Sequence, residues 1–320
     1  MKNVLIVGSF TPEEQDRLQA AGAGAKLTFR DDDAVAAEDL RAADALIGNL
    51  PPAMLESACN RLEWLQLMSS GADAYAGSEI LRRRGVTLTT ATGAYGVGIA
   101  EYMVAMLLVM MKKIPTYLDW QKAAVWRDAG SVVSPAGKRV LVVGVGNLGS
   151  EFAVRMRPFG CEIVGVRRRG GGCPPAFDRM CTLANLKDEL PQADIVALCL
   201  PGTPETYHLF DREMLSLCKP GAYLMNVGRG TVIPADALLD RGVTDRFAGI
   251  WVDVLETEPL PDGHPLFSVP NLIVTPHITG GFHLDVTRRN ILDICTANLR
   301  AWLAGEPLEH VLDWSSGYCK

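Results

Sequence analysis

Short apolar runs alternate with helical segments along almost the whole chain, which predicts an α/β protein with two doubly wound parallel-sheet domains. Three observations carry this expectation. The N-terminal part places strand-like runs at Val4–Val7, Lys26–Phe29, Ala43–Ile47, Trp64–Met68 and Val86–Thr89. A second series, Val140–Val143, Glu162–Val166, Ile195–Leu200, Ala222–Val227, Phe247–Val252 and Leu272–Thr275, makes a separate six-stranded sheet. The chain has 320 residues, more than one typical core accommodates.

Taken in order, Met1–Gly8 reads as the first strand. Its apolar stretch is too short for a secretory signal and runs into a charged helix, Pro12–Ala20. A long helical segment extends from Ile99 to about Trp126. Its apolar part, Glu101–Ile114, is interrupted by Lys112 and Lys113 before it reaches bilayer-spanning length. A last helix, Leu284–Ala304, returns the chain to the first domain. No repeat or low-complexity stretch interrupts this plan.

Composition narrows the function classes. With 31 basic and 37 acidic residues the formal charge is −6, so no electrostatic argument favours nucleic acid or an anionic membrane. A cytoplasmic protein is expected. Eight cysteines are scattered without a C-x-x-C pair or a histidine at ligand spacing, so neither a disulfide framework nor a metal site is expected. Cys199 sits inside a predicted strand as a small hydrophobe, whereas Cys173 falls in a glycine-rich turn where an exposed thiol is expected.

Gly144-Val145-Gly146-Asn147-Leu148-Gly149 follows the run Val140–Val143 and opens the amphipathic segment Ser150–Phe159. A strand, a glycine turn and a helix start form a phosphate cradle. The glycines let backbone approach a pyrophosphate, and the helix N-terminus offers unpaired N–H groups. The strand Glu162–Val166 follows at βαβ spacing, so a bound dinucleotide is expected. Where NAD-selective chains carry an acidic residue for the ribose, this one has Arg167-Arg168-Arg169, and no acid lies between Ile163 and Phe177. Guanidinium groups suit a 2′-phosphate, which favours NADP(H), with NAD(H) as the alternative if the arginines form only a solvated turn.

Three further polar residues follow predicted strands, on the side where doubly wound folds bind ligands: Arg229, Glu258 and His277. Singly they read as a surface ion pair, a turn residue before proline and a core histidine. Together, at the ends of successive strands, they read as a site. The chain resembles the D-isomer-specific 2-hydroxyacid dehydrogenase family. The resemblance rests on Ser69–Asp73, Ala100-Glu101, Gly144–Gly149, Leu200–Thr206, Asn226–Gly230, Asp253–Pro259 and Thr275–Gly280, and covers nearly the whole chain.

That resemblance implies a Rossmann-type nucleotide domain, residues 101–289, inserted into a flavodoxin-like substrate domain of residues 1–100 plus 290–320. The two long helices would act as a hinge, with the active site in the cleft. It further implies that Arg229 holds the substrate carboxylate, His277 donates the proton and Glu258 orients the histidine. Asp253 would contact the nicotinamide carboxamide. Ser70, Thr206 and the Val227–Gly228 backbone would make other cofactor contacts, and Gly71-Ala72 would receive the carboxylate. The expected reaction reduces small 2-oxo acids to D-2-hydroxy acids. Histidinium can protonate the carbonyl oxygen, a buried carboxylate beside the ring favours that charged form, and arginine suits a planar carboxylate.

Departures from the family pattern are informative. Thr90 replaces a common Asn, and with a Gly317-Tyr318 tail before Lys320 the regulatory domain of some phosphoglycerate dehydrogenases is not expected. Trp120 and Trp126 fall where relatives dimerise; a homodimer is expected, while packing within the chain is the plainer reading of the tryptophans. Residues 71–73 and 92–98 are expected to shape the substrate pocket. Rival readings are a dinucleotide-sensing, corepressor-like protein, and a formate or phosphite dehydrogenase. Formate enzymes pair their histidine with Gln, so Glu258 argues against them. The expected preference for NADP(H) argues against phosphite oxidation.

Overall fold

The computed structural model describes residues 1–281, 284–315 and 318–319; Phe282, His283, Ser316, Gly317 and Lys320 lie outside that description, including the Gly317 end of the tail. The chain divides into two compact units, Met1–Tyr95 with Phe282–Lys320, and Gly96–Gly281.

In the first unit the strands are β1 (Asn3–Val7), β2 (Lys26–Arg30), β3 (Ala45–Ile47), β4 (Trp64–Gln66) and β5 (Thr87–Thr89). They pair in parallel in the order β2-β1-β3-β4-β5, the flavodoxin-like arrangement. Leu5, Leu46, Leu65 and Leu88 are buried on one face. Buried Gln66 is fully engaged by its neighbours: its carbonyl oxygen accepts from the Thr89 hydroxyl (2.7 Å) and from Asn298 Nδ2 (2.8 Å), while Nε2 donates to Leu67 O (2.8 Å). Asn298 belongs to the helix Asp285–Ala304. This network pins that helix to the sheet just before the loop carrying Ser70, Gly71 and Ala72, and leaving any of its buried groups unpaired would cost about 1–3 kcal/mol.

The second unit carries β6 (Arg139–Val143), β7 (Glu162–Arg167), β8 (Arg179–Thr182), β9 (Ile195–Leu198), β10 (Tyr223–Asn226), β11 (Gly249–Val252) and β12 (Leu272–Val274). All pair in parallel, in the order β12-β11-β10-β9-β6-β7-β8. This is the Rossmann order with a strand added beyond β11. Both faces are covered. Val140 and Val142 pack toward the helices Gly96–Met111 and Asn147–Met156, while Leu141 and Val143 face Leu190, Phe210 and Leu238. Burial on both faces is why β6 reads as a continuous apolar run rather than an alternating one.

Two expectations are corrected. The sheet has seven strands, not six. The additional edge strand β8 is short and begins with an arginine, so it lacks an apolar signature. The helical segment from Ile99 to Trp126 is two helices, Gly96–Met111 and Ile114–Lys122, with nothing regular beyond Ala123 until β6. Pro115 has no N–H to donate and its ring would collide with the Met111 carbonyl, so the first helix stops there. Lys113 turns the chain at φ 56°. Lys112 and Lys113 then reach across to Val133 O (2.9 Å) and Ala129 O (2.8 Å), tethering the irregular segment. Among the described residues, no helix is long and apolar enough to cross a membrane.

Candidate active site

In the second unit the expected site residues cluster by sequence at the carboxyl ends of parallel strands. The turn after β6 is shaped by its glycines. Gly144 takes φ 106°, and a Cβ there would stand 2.6 Å from Cys199 O. At Gly149 a Cβ would come within 2.1 Å of Gly144 O, so the helix start can approach the turn only without a side chain. Gly146 differs: a Cβ there would meet nothing within 4 Å. Open space lies over that residue, and Gly146 caps the helix Asn147–Met156 with no side-chain bond to its first amides. Unfilled room above uncapped N–H groups, including those of Asn147 and Leu148, is what a pyrophosphate requires.

At the end of β7, Arg167 and Arg168 separate in role. The Arg167 guanidinium donates to Gly172 O and lies against Gly171, where a Cβ would come within 2.8 Å of Nη2. It therefore organises the glycine loop. Arg168 and Arg169 are exposed. Glu205 is held below the ordinary carboxylate range by its own backbone N–H, then by Thr203, with a smaller contribution from the charge on Arg168. Thr206 is buried, and its hydroxyl is already occupied: it donates to Pro201 O (2.6 Å) and accepts from the Thr203 N–H (2.9 Å), which shapes the turn after β9.

Val227 N–H bonds Leu198 O (3.1 Å), and Gly228 lies so close to Leu200 that a Cβ would be 2.2 Å from its carbonyl oxygen. Arg229 follows, with Nη1 donating to Gly228 O (2.9 Å) and its carbonyl accepting from Asn226 Nδ2 (3.1 Å). His277 and Glu258 are brought together: Nδ1 lies 2.7 Å from Oε2, and Glu258 Oε1 accepts from the Leu255 N–H (2.8 Å). Against the expectation of a buried carboxylate, the Glu258 side chain is 36% exposed and that of His277 52%. The loop bearing Glu258 follows the end of β11, and among the described residues only its backbone and the imidazole hold the carboxylate.

Asp253, expected to contact the nicotinamide carboxamide, is also bound within its own unit. Its buried carboxylate accepts from the Thr275 hydroxyl (2.5 Å), Ile278 N–H (3.1 Å), Thr279 N–H (3.2 Å) and the Thr279 hydroxyl (2.5 Å). Its carbonyl accepts from the His277 N–H (2.8 Å). Asp253 thus clamps the loop that presents His277 at φ 51°. Thr275 and Thr279 were not singled out from the sequence, although the Thr275–Gly280 motif contained both.

In the first unit Ser70 is exposed, and its carbonyl accepts from Thr92 (3.3 Å). Ser69 Oγ donates to Gly71 O (2.8 Å), closing the turn that ends at buried Ala72. Thr90 is buried and bonded to Thr92 (2.8 Å) and Cys319 Sγ (3.2 Å). Among the described residues no group of three or more His, Cys, Asp or Glu could hold a metal ion. All eight cysteines are free. Burial pushes the thiols of Cys199, Cys218 and Cys295 up to about 12, and Cys173 is exposed.

A family model for the D-isomer specific 2-hydroxyacid dehydrogenase NAD-binding domain matches residues 104–279. The chain is 31% identical over 263 residues to glyoxylate/hydroxypyruvate reductase B of Pectobacterium carotovorum, covering 79% of each chain. Its structure is similar to that of a D-isomer specific 2-hydroxyacid dehydrogenase family protein from Aeromonas salmonicida, with a TM-score of 0.87 and 31% identity over 98% of this chain and 99% of that one. A second similar structure is the D-isomer specific 2-hydroxyacid dehydrogenase of Xanthobacter autotrophicus in complex with NADPH and MES, with a TM-score of 0.84 and 27% identity over 99% and 100%. Glycine turn, seven-stranded parallel sheet, histidine–glutamate pair and matched model agree: the chain belongs to the D-isomer specific 2-hydroxyacid dehydrogenase family.

Proposed function

We propose that the protein reduces small 2-oxo acids to D-2-hydroxy acids and prefers NADPH. The observation that carries this reading is the His277–Glu258 pair, set beyond the same sheet whose glycine turn leaves room for a pyrophosphate. Bound there, a reduced nicotinamide supplies the hydride to C2 of the acid. His277 supplies the proton: Nδ1 is engaged by Glu258, which leaves Nε2 as the ring nitrogen able to protonate the carbonyl oxygen. Arg229, permanently charged, would grip the carboxylate together with the amides of Gly71 and Ala72, and so select which face of C2 is presented.

Gly144, Gly146, Asn147, Leu148 and Gly149 would hold the pyrophosphate, and Val227 and Gly228 would line the cofactor path with the Thr206 turn. Ser70 would complete these contacts from the first unit. The NADPH preference is supported by exposed Arg168 and by the absence of an acidic residue at the end of β7. A homodimer is supported by the exposed apolar residues of the segment after the Gly96–Met111 helix, among which Trp126 is fully exposed.

Oxidation of NADPH and NADH, followed by absorbance against 2-oxo acids from glyoxylate to phenylpyruvate, tests the reading. Faster NADPH oxidation with one acid is expected. His277→Gln should lower kcat about 10²- to 10⁴-fold, the range of a lost general acid, with cofactor affinity nearly intact. Retained turnover in that variant rules out His277 as proton donor. Tight cofactor binding by the wild type without turnover on any acid indicates a sensor instead.

A further inference from the structure

The loop between β11 and β12 carries two glutamates two positions apart, and each meets a different histidine. Glu258 meets His277. Glu256 Oε1 lies 2.7 Å from His208 Nε2, and neither of these residues belongs to the contacts assigned above. The Tyr207 hydroxyl donates to the same oxygen (3.3 Å), and its ring stacks on the imidazole with centroids 3.9 Å apart. The bond to His208 holds Glu256 below the usual carboxylate range.

The backbone around this pair is fixed with equal care. His208 takes φ 52°, a region that residues other than glycine enter rarely and keep only where their surroundings impose it. Its N–H donates to Thr231 O (2.8 Å), and that of Phe210 to Val232 O (3.0 Å), joining this segment to the turn after Arg229. On that turn Gly230 touches the Glu256 peptide so closely that a Cβ would stand 1.9 Å from the Leu255 carbonyl carbon. Three segments therefore converge on Glu256: the turn containing Thr206, the turn containing Arg229, and the loop containing Glu258.

We infer that His208 and Glu256 form a positioning pair that fixes the Glu258 loop, and through it the ring of His277, in register with Arg229. The inference rests on the reductase reading for the roles of His277 and Glu258. Neither member touches substrate. Glu258 is exposed and, among the described residues, is held only by the Leu255 N–H and the imidazole, so the aim of its carboxylate follows the course of the loop. Loosening that loop would let His277 lose its Nδ1 acceptor and, with it, a single tautomer.

His208→Asn isolates the ring contact, because Asn tolerates positive φ but is too short to reach Glu256. His208→Gln restores a donor of sufficient reach. In protein labelled with 15N-histidine, and with the His277 signals assigned by their loss in His277→Gln, alkaline spectra of the wild type should show the Nδ1–H tautomer of His277. His208→Asn should shift it toward Nε2–H and lower kcat for the 2-oxo acid about tenfold to hundredfold, as expected for small misplacements of a reacting group. The cofactor Kd should stay within about twofold, since the phosphate contacts are untouched. His208→Gln should recover most of both signals. Glu256→Ala repeats the test from the other partner if His208→Asn does not fold. An unchanged tautomer and kcat, with only the melting temperature lowered, overturns the inference. Because the tautomer is read without turnover, a wild type inactive on every acid overturns the reductase reading alone.

Discussion

At the scale of single residues, Arg167 and Arg168 are neighbours with one chemistry and two uses. Arg167 spends its guanidinium on the Gly172 carbonyl, and Gly171 leaves room for it. Arg168 is exposed, with a charge felt at Glu205 on the turn after β9. A 2′-phosphate would therefore be gripped by Arg168, while loss of Arg167 would disorganise the loop for either cofactor. A hydrogen bond to a charged group contributes about 1.5–3 kcal/mol, so Arg168→Ala should lower kcat/KM for NADPH about tenfold to hundredfold. The value for NADH should stay within about twofold, because its ribose lacks the phosphate. Steady-state kinetics with both cofactors check this, and an equal fall with NADH would return the arginines to a solvated turn. Asp253 makes a related point. Its motif marked it for the cofactor, and its four accepted bonds to the His277 loop add a structural task that no sequence pattern announces.

At the scale of elements, legibility followed burial. Strands β6, β7 and β9 are covered on both faces, so their apolar runs stand out and their order follows from right-handed βαβ connections. Strand β8 is an edge strand, partly exposed, and starts on Arg179, so nothing distinguishes it from a loop. The helix break at Lys113 was written in Pro115, but the apolar periodicity across it masked the signal. The His208–Glu256 pair joins residues 48 positions apart, a separation that no local pattern encodes. What anchors β8 is also testable. Glu189, buried at 7% exposure, receives both Arg179 Nη1 (2.7 Å) and Nη2 (2.6 Å), and this bidentate bond holds its carboxyl below the ordinary value of 4.5. A folded pKa below the unfolded one gives stability that is fully present above the unfolded value and lost as pH falls through the folded one. Melting temperatures across pH 7 down to about 3, a range spanning the carboxylate titration, should fall more steeply for the wild type than for Glu189→Gln. Parallel curves would show that the pair contributes nothing to acid sensitivity.

At the scale of the whole molecule, the surface after the Gly96–Met111 helix asks for a partner. Ile114, Leu118, Val125 and Val132 are each 39–51% exposed, and Trp126 is fully so, all within one short stretch of chain. Single exposed apolar residues need no explanation, but five so close together along the chain point to an interface. Ile114 and Leu118 lie on the helix Ile114–Lys122, and the irregular residues beyond it are tethered in part by lysine side chains reaching main-chain carbonyls. A segment built in this way presents its apolar side chains outward, where a second copy can cover them by two-fold symmetry. Sedimentation equilibrium should therefore give twice the chain mass at micromolar concentration. Leu118→Lys combined with Trp126→Asp should shift the equilibrium to the monomer, because burying two uncompensated charges against the same patch on the partner is costly. Neither position lies in a core cluster, so far-UV circular dichroism should be unchanged in the variant. A wild type that sediments as a monomer would remove the dimer from the proposed function and leave Trp126 without an assigned partner.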